Sequence, residues 1–354
     1  STSTLTQTSV PPTQTPTSTA TPIPPTPTPT LTTPSSYTVN LPLVANQPAA
    51  PPTPTQTWQQ VSTIPRQTDS FVIHNGKLFV AERSDNSSEN GLYRSQDCAI
   101  NSIFTRLVAG AAVYDVVFRN TRGLIATKDQ GVWFSPDSGE NWTKAQIDNP
   151  NGLSVVFIDD NLAYAGTNSG GLYRSNDGGT SWSHVEPANG LGPKVIQDLT
   201  YDQTSNTLWL ATFGEGLWKL TPGSTQFVEV NNGLTTPIEA RRIYDVALNV
   251  GQLYLATGNG VYKGDGINAW TPIGLQGLPI LSVTKIESQL YAGTRENGMK
   301  ISRNEGQTWE QENGLSPALT IRDLFYDTSN TCKDSISGRN GFLAATSLGI
   351  WVNR

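Results

Sequence analysis

One short strand pattern, a glycine followed by an aliphatic side chain and then an aromatic or basic one, occurs seven times along the chain. The copies are Gly91-Leu-Tyr-Arg, Gly131-Val-Trp-Phe, Gly171-Leu-Tyr-Arg, Gly216-Leu-Trp-Lys, Gly260-Val-Tyr-Lys, Gly298-Met-Lys-Ile and Gly349-Ile-Trp-Val, at intervals of 40, 40, 45, 44, 38 and 51 residues. A unit of that length holding several short strands cannot bury its apolar face alone and must stack on its neighbours, which is the signature of propeller blades.

Two further strands precede each copy. One ends in a small-residue step (Ala126-Thr127, Gly166-Thr167, Ala211-Thr212, Ala256-Thr257, Gly293-Thr294 and Ala345-Thr346, with Ala81-Glu82 as the variant), which lets adjacent blades approach. The other is the most apolar strand of the unit and is expected innermost. It begins Ser70-Phe-Val-Ile, Asp115-Val-Val-Phe, Ser154-Val-Val-Phe, Asp198-Leu-Thr-Tyr, Asp245-Val-Ala-Leu, Ser282-Val-Thr-Lys and Asp323-Leu-Phe-Tyr. Asn-Gly-Leu connections at Asn151, Asn189, Asn232 and Asn313 supply tight turns between units. The expected fold is an all-β, seven-bladed β-propeller over residues 56–354, with four antiparallel strands per blade. The seventh unit stops at Arg354 after three strands, while Gln56-Thr57-Trp58 repeats Gln307-Thr308-Trp309. Trp58 therefore opens the missing outer strand, and the ring closes by borrowing it, since an open ring would leave exposed strand edges.

The turn after the repeated strand carries a family resemblance. Ser135-Pro-Asp137-Ser-Gly139-Glu-Asn-Trp142 and Ser175-Asn-Asp177-Gly-Gly179-Thr-Ser-Trp182 resemble the Asp box, and Ser302-Arg-Asn304-Glu-Gly306-Gln-Thr-Trp309 matches with Asn for Asp. The blades at Ser95, Leu220 and Gly264 are degenerate, with Asp97, Phe227 and Trp270 as remnants. The chain thus resembles the Asp-box, or BNR-type, propellers: sialidases, some endoglucanases, sorting-receptor ectodomains and photosystem assembly factors. That resemblance implies a box that is a structural turn, remote from any active site.

Residues 1–55 differ in kind. The first 65 residues contain no Asp, Glu, Lys, Arg or His, and 14 of the chain's 24 prolines fall in 1–57. Such a Thr/Pro tract cannot bury enough surface to order itself, and its composition is that of an O-glycosylated stalk. Within it, Tyr37, Val39, Leu41 and Leu43 alternate as one face of a strand, so 37–44 is expected to dock on a sheet edge or groove.

Chemistry is sparse. A net charge of -6 argues against nucleic-acid binding, no stretch is long and apolar enough to span a membrane, and with only two histidines no metal site or cofactor is expected. The Asp115, Asp198, Asp245 and Asp323 carboxylates form a ring at the channel mouth, read chiefly as caps for neighbouring backbone and secondarily as a cation or sugar site. Arg241, Arg242 and Arg322 lie near the inner strands, and Arg94 and Arg174 on the repeated strand are read as solvated. The three arginines and Tyr/Glu pair of a sialidase are not recognisable. Two distant cysteines are compatible with free thiols. The strand directions nevertheless bring the turns holding Cys98 and Cys332 to one face, on blades that adjoin at the closure, and a disulfide between them is expected.

These features favour a non-catalytic extracellular or cell-surface protein, a filament or surface-layer subunit with the propeller as bead and a glycosylated stalk as head-to-tail connector. The alternative is a secreted glycan-binding or glycan-hydrolysing propeller. A photosystem-type assembly factor is disfavoured by the stalk.

Overall fold

The computed structural model describes residues 58–61, 67–84, 88–97, 103–186, 191, 194–221, 223–235, 237–326 and 342–353. The expectations placed on Tyr37, Val39, Leu41, Leu43, the stalk, Cys98 and Cys332 concern residues outside that set.

Seven four-stranded antiparallel sheets make up the ring. The innermost strands are Thr68–His74, Ala112–Arg119, Gly152–Phe157, Ile196–Asp202, Ile243–Asn249, Ile280–Ile286 and Ile321–Tyr326. Each pairs with a second strand that is buried along nearly its whole length. In blade three that strand, Ala163–Thr167, is buried at every residue. The small residues explain why it can be: a Cβ on Gly166 would lie 2.6 Å from Cγ2 of Ile196 in the next blade, and one on Gly293 would lie 2.8 Å from Cγ2 of Ile321. Any larger side chain there would push the blades apart.

The second strand is also tied to the repeated third strand by its terminal threonine. The hydroxyls of Thr127, Thr167, Thr212, Thr257, Thr294 and Thr346 donate to the carbonyls of Gly131, Gly171, Gly216, Gly260, Gly298 and Gly349 at 2.6–2.9 Å. Blade one has the buried Glu82 at this place instead.

Closure occurs as the sequence predicts. Trp58–Gln60 pairs antiparallel with Gly349–Asn353, matching Trp58 to Asn353 and Gln60 to Trp351. The Trp58 ring is buried edge-on against Phe342, with centroids 5.2 Å apart. Its Nε1 donates to Glu312 of blade six at 3.4 Å, so the strand ties the seventh blade to the sixth as well as to the N-terminal segment.

Candidate functional site

Every innermost strand carries a register shift around one residue near its start: Asp69, Tyr114, Leu153, Gln197, Tyr244, Leu281 and Arg322 lie within the seven shifts. A bulge re-aims the extra side chain, and all seven of these side chains line a central cavity of about 370 Å³. Arg83, Phe213 and Arg295, which follow the second strands of blades one, four and six, complete its wall. The cavity is thus built at one face of the ring by a device repeated in every blade.

Its chemistry is uneven around the circle. On the side of blades seven and one, Asp69 is held between two guanidinium groups, Arg83 Nε at 2.7 Å and Arg322 Nε at 3.1 Å. Burial raises the Asp69 carboxyl above its ordinary value in spite of both arginines. Burial likewise pulls the Arg322 guanidinium down, and the positive charges of Arg83 and Arg295 add to the effect. Arg83 also lies over the Tyr114 ring, 4.9 Å from its centroid, and Arg295 over Tyr244 at 5.8 Å. Toward blade four the wall turns apolar: half-exposed Phe213 meets Tyr244 edge-on, with Arg242 stacked over Phe213 at 5.4 Å. Five carboxylates, Asp69 and the four of the Asp ring, line the cavity with three guanidinium groups. Asp69 is taken up by Arg83 and Arg322, burial disfavours charge on the ring, and Arg295 has no ion pair among the described residues, so this side of the wall suits an acidic group beside the aromatic faces.

The four aspartates of the ring line the same cavity and bond to the scaffold. Asp115 accepts the Val155 N–H at 2.9 Å, Asp198 that of Val246 at 3.3 Å and Asp245 that of Val283 at 2.8 Å, in each case from the next blade. Ser154 does the same for Leu199 at 3.0 Å, and Asp323 accepts from Leu324 of its own strand at 2.7 Å as well as from the Phe71 N–H of blade one. Burial, with repulsion from Asp115, pushes Asp198 up to about 6 and Asp323 up to about 7. Burial and the Asp198 charge raise Asp245 well above the ordinary range, and burial raises Asp115. Among the described residues no three His, Cys, Asp or Glu side chains gather as metal ligands.

The Asp boxes lie at the opposite face. Ser135 accepts the Gly139 N–H and donates to Asp137, both at 2.9 Å, while Asp137 accepts the N–H of Asn141 at 2.9 Å and its side-chain amide at 2.7 Å. Those Asn141 bonds hold the Asp137 carboxyl below its usual range. Ser175, Asp177 and Gly179 repeat the geometry, with Trp182 donating to the Gly179 carbonyl at 2.9 Å. Ser302, Asn304 and Gly306 do so with an amide in place of the carboxylate, and Trp309 donates to Ile273 of blade five at 2.8 Å. Gly139, at φ +82°, rests against Phe79 of blade one so closely that a Cβ would lie 2.5 Å from its ring.

Sequence reasoning singled out the Asp ring and the boxes and did not name Asp69, Arg83, Arg295, Tyr114, Tyr244 or Phe213. Arg94, read as solvated, is instead ion-paired at 2.7 Å to Glu140 in the box of blade two.

The family described as photosynthesis system II assembly factor YCF48 matches residues 107–343. Photosystem II assembly lipoprotein Ycf48 from Synechococcus sp. is 25% identical over 228 residues, which are 59% of this chain and 65% of that protein. The chain therefore spans just under two thirds of the length of this curated relative. Among solved structures, YCF48 bound to a D1 peptide superimposes with a TM-score of 0.63 at 15% identity, over 84% of this chain and 96% of that one. The GH74 enzyme of Niastella koreensis gives 0.61 at 17%, over 83% and 53%. Both structural likenesses carry the fold alone.

The family match overturns the reading of a structural or adhesive filament subunit, and with it the head-to-tail self-association and the glycosylated connector. The stalk composition misled because it concerns only the first 55 residues and says nothing of what a propeller cavity binds.

Proposed function

The chain belongs to the YCF48 family of photosystem II assembly factors, and from that premise we propose that it is a non-catalytic assembly factor that holds a segment of a client polypeptide in its central cavity. The observation that carries the reading is Arg295, without an ion pair among the described residues, beside Tyr114, Tyr244 and Phe213 in a cavity whose Arg83 and Arg322 are both paired to Asp69, an arrangement suited to a segment with one acidic group and aromatic or aliphatic side chains. The client class is a D1-like polypeptide, as the peptide in the related YCF48 structure suggests. The Asp ring serves as scaffold in this account, since its acceptors are engaged by backbone N–H groups. The relative named a lipoprotein favours a position at a membrane surface on the exported side. Among the described residues no helix is long and apolar enough to cross a membrane. A hydrolase is the weaker reading, because the GH74 likeness is one of fold.

Calorimetric titration of a D1-derived peptide tests the proposal. Saturable binding is expected, weakened about tenfold by Arg295→Gln, which removes one charge-assisted contact without disturbing the Asp69 ion pairs. Equal affinity for both proteins would contradict the assignment of the cavity.

A further inference from the structure

On the face opposite the central cavity, a second cavity of about 470 Å³ opens between blades three and four. The internal repeat explains why it is there. At the intact junctions the box of one blade packs onto the blade before it: Gly139 on Phe79, Gly179 on Leu124 and Gly306 on Ile273, and the shortened turn of blade five still lays Gly266 on Trp209. In blade four the corresponding segment is Leu220-Thr-Pro-Gly-Ser-Thr-Gln-Phe227. Leucine replaces the serine that organises the turn, Ser224 replaces the packing glycine, and no carboxylate is present. The turn leaves its place against blade three unfilled, above a floor of buried Tyr164, Leu208 and Phe227.

A second observation says what chemistry is missing. The repeated strand ends in a cation in four blades, and in three of them the cation reaches the following box. Arg94 pairs with Glu140 at 2.7 Å, Lys263 with Glu305 at 3.3 Å, and Lys219 donates to the Gly266 carbonyl at 2.9 Å. The fourth is Arg174, which lines the second cavity together with Glu186, is exposed, and forms no ion pair within 4 Å among the described residues. We propose that this cleft is a docking site for a partner peptide that fills the space the blade-four turn leaves open, with an aromatic side chain laid on the apolar floor beside Phe227 and a carboxylate on Arg174. Because the site faces away from the central cavity, one propeller would hold two polypeptide segments at once, and the site stands independently of what the central cavity binds.

Indole-3-propionate, which carries an indole ring and a carboxylate, is a suitable probe, followed by methyl NMR on the full chain. Saturable shifts are expected at Leu162, Leu208 and Leu220, with affinity about tenfold lower in Arg174→Gln, the loss expected of one charge-assisted hydrogen bond. A variant that restores the box, Leu220→Ser, Pro222→Asp, Ser224→Gly, Thr225→Glu and Phe227→Trp, should fill the cleft and abolish the shifts. Absence of saturable shifts in the wild-type chain, or undiminished affinity in Arg174→Gln, would overturn the proposal. Should the restored-box variant fail to fold, the Arg174→Gln comparison decides alone.

Discussion

Glu82 is the one departure from the threonine tie that fastens second to third strand in the other six blades, and its consequence is measurable. The side chain is fully buried and neither carboxyl oxygen has a hydrogen-bond partner among the described residues. Burial, with repulsion from Glu89, pushes its pKa up to about 8 from an ordinary 4.5. The folded chain therefore holds a proton that the unfolded chain releases between those values. Because the folded pKa is raised, stability is lost as pH rises from about 4.5 to about 8, by about 1.4 kcal/mol per pH unit from this group. Summed over that window the loss is about 4 to 5 kcal/mol, large against the 5 to 15 kcal/mol of a typical domain. Asp198 and Asp323 titrate in the same direction, so the Glu82 share must be read as a difference. Urea unfolding of the wild type and of Glu82→Thr, at pH 5, 6.5 and 8.5, gives it directly. Glu82→Thr should gain on the wild type with each step up in pH and be clearly the more stable at pH 8.5, having both shed the buried carboxyl and acquired the tie to Gly91. Parallel pH profiles for the two proteins would refute the argument.

Trp58→Ala should cost about 3 to 5 kcal/mol in urea unfolding, the range for truncating a buried large aromatic, because the ring joins Phe342 of blade seven to Glu312 of blade six. Asp323→Asn keeps an acceptor for the Leu324 N–H but removes a carboxyl raised to about 7. Its melting temperature should therefore decline less than that of the wild type as pH rises from about 4 to about 7, where the wild-type group loses its proton.

The repeat, the small-residue steps and the fourth strand borrowed from Trp58 were all legible in the sequence, because each follows from periodicity or from the need to leave no open edge. The boxes at Ser135, Ser175 and Ser302 were legible because their side chains bond within a few residues. The cavity wall was not. Alternation along Thr68–His74 or Ile321–Tyr326 assigns Asp69 and Arg322 to a blade-facing side, and only the bulge turns them inward. The available hint was chemical: an acid and a base directly preceding apolar inner strands are out of place unless something pairs them. Arg83 and Arg295 come from other strands, and their convergence is a property of the closed ring. Arg94 was misjudged for a related reason, since its partner Glu140 lies in the next blade.

The most direct test of the central claim is where a bound client segment lies. A D1-derived peptide carrying a photoactivatable cross-linker should attach to Tyr114, Phe213 and Tyr244, the aromatic part of the cavity wall, and lose that attachment when Arg295→Gln weakens binding. Cross-links confined to the Asp-box face or to the outer strands would contradict the proposed assignment of the central cavity as a client-binding site.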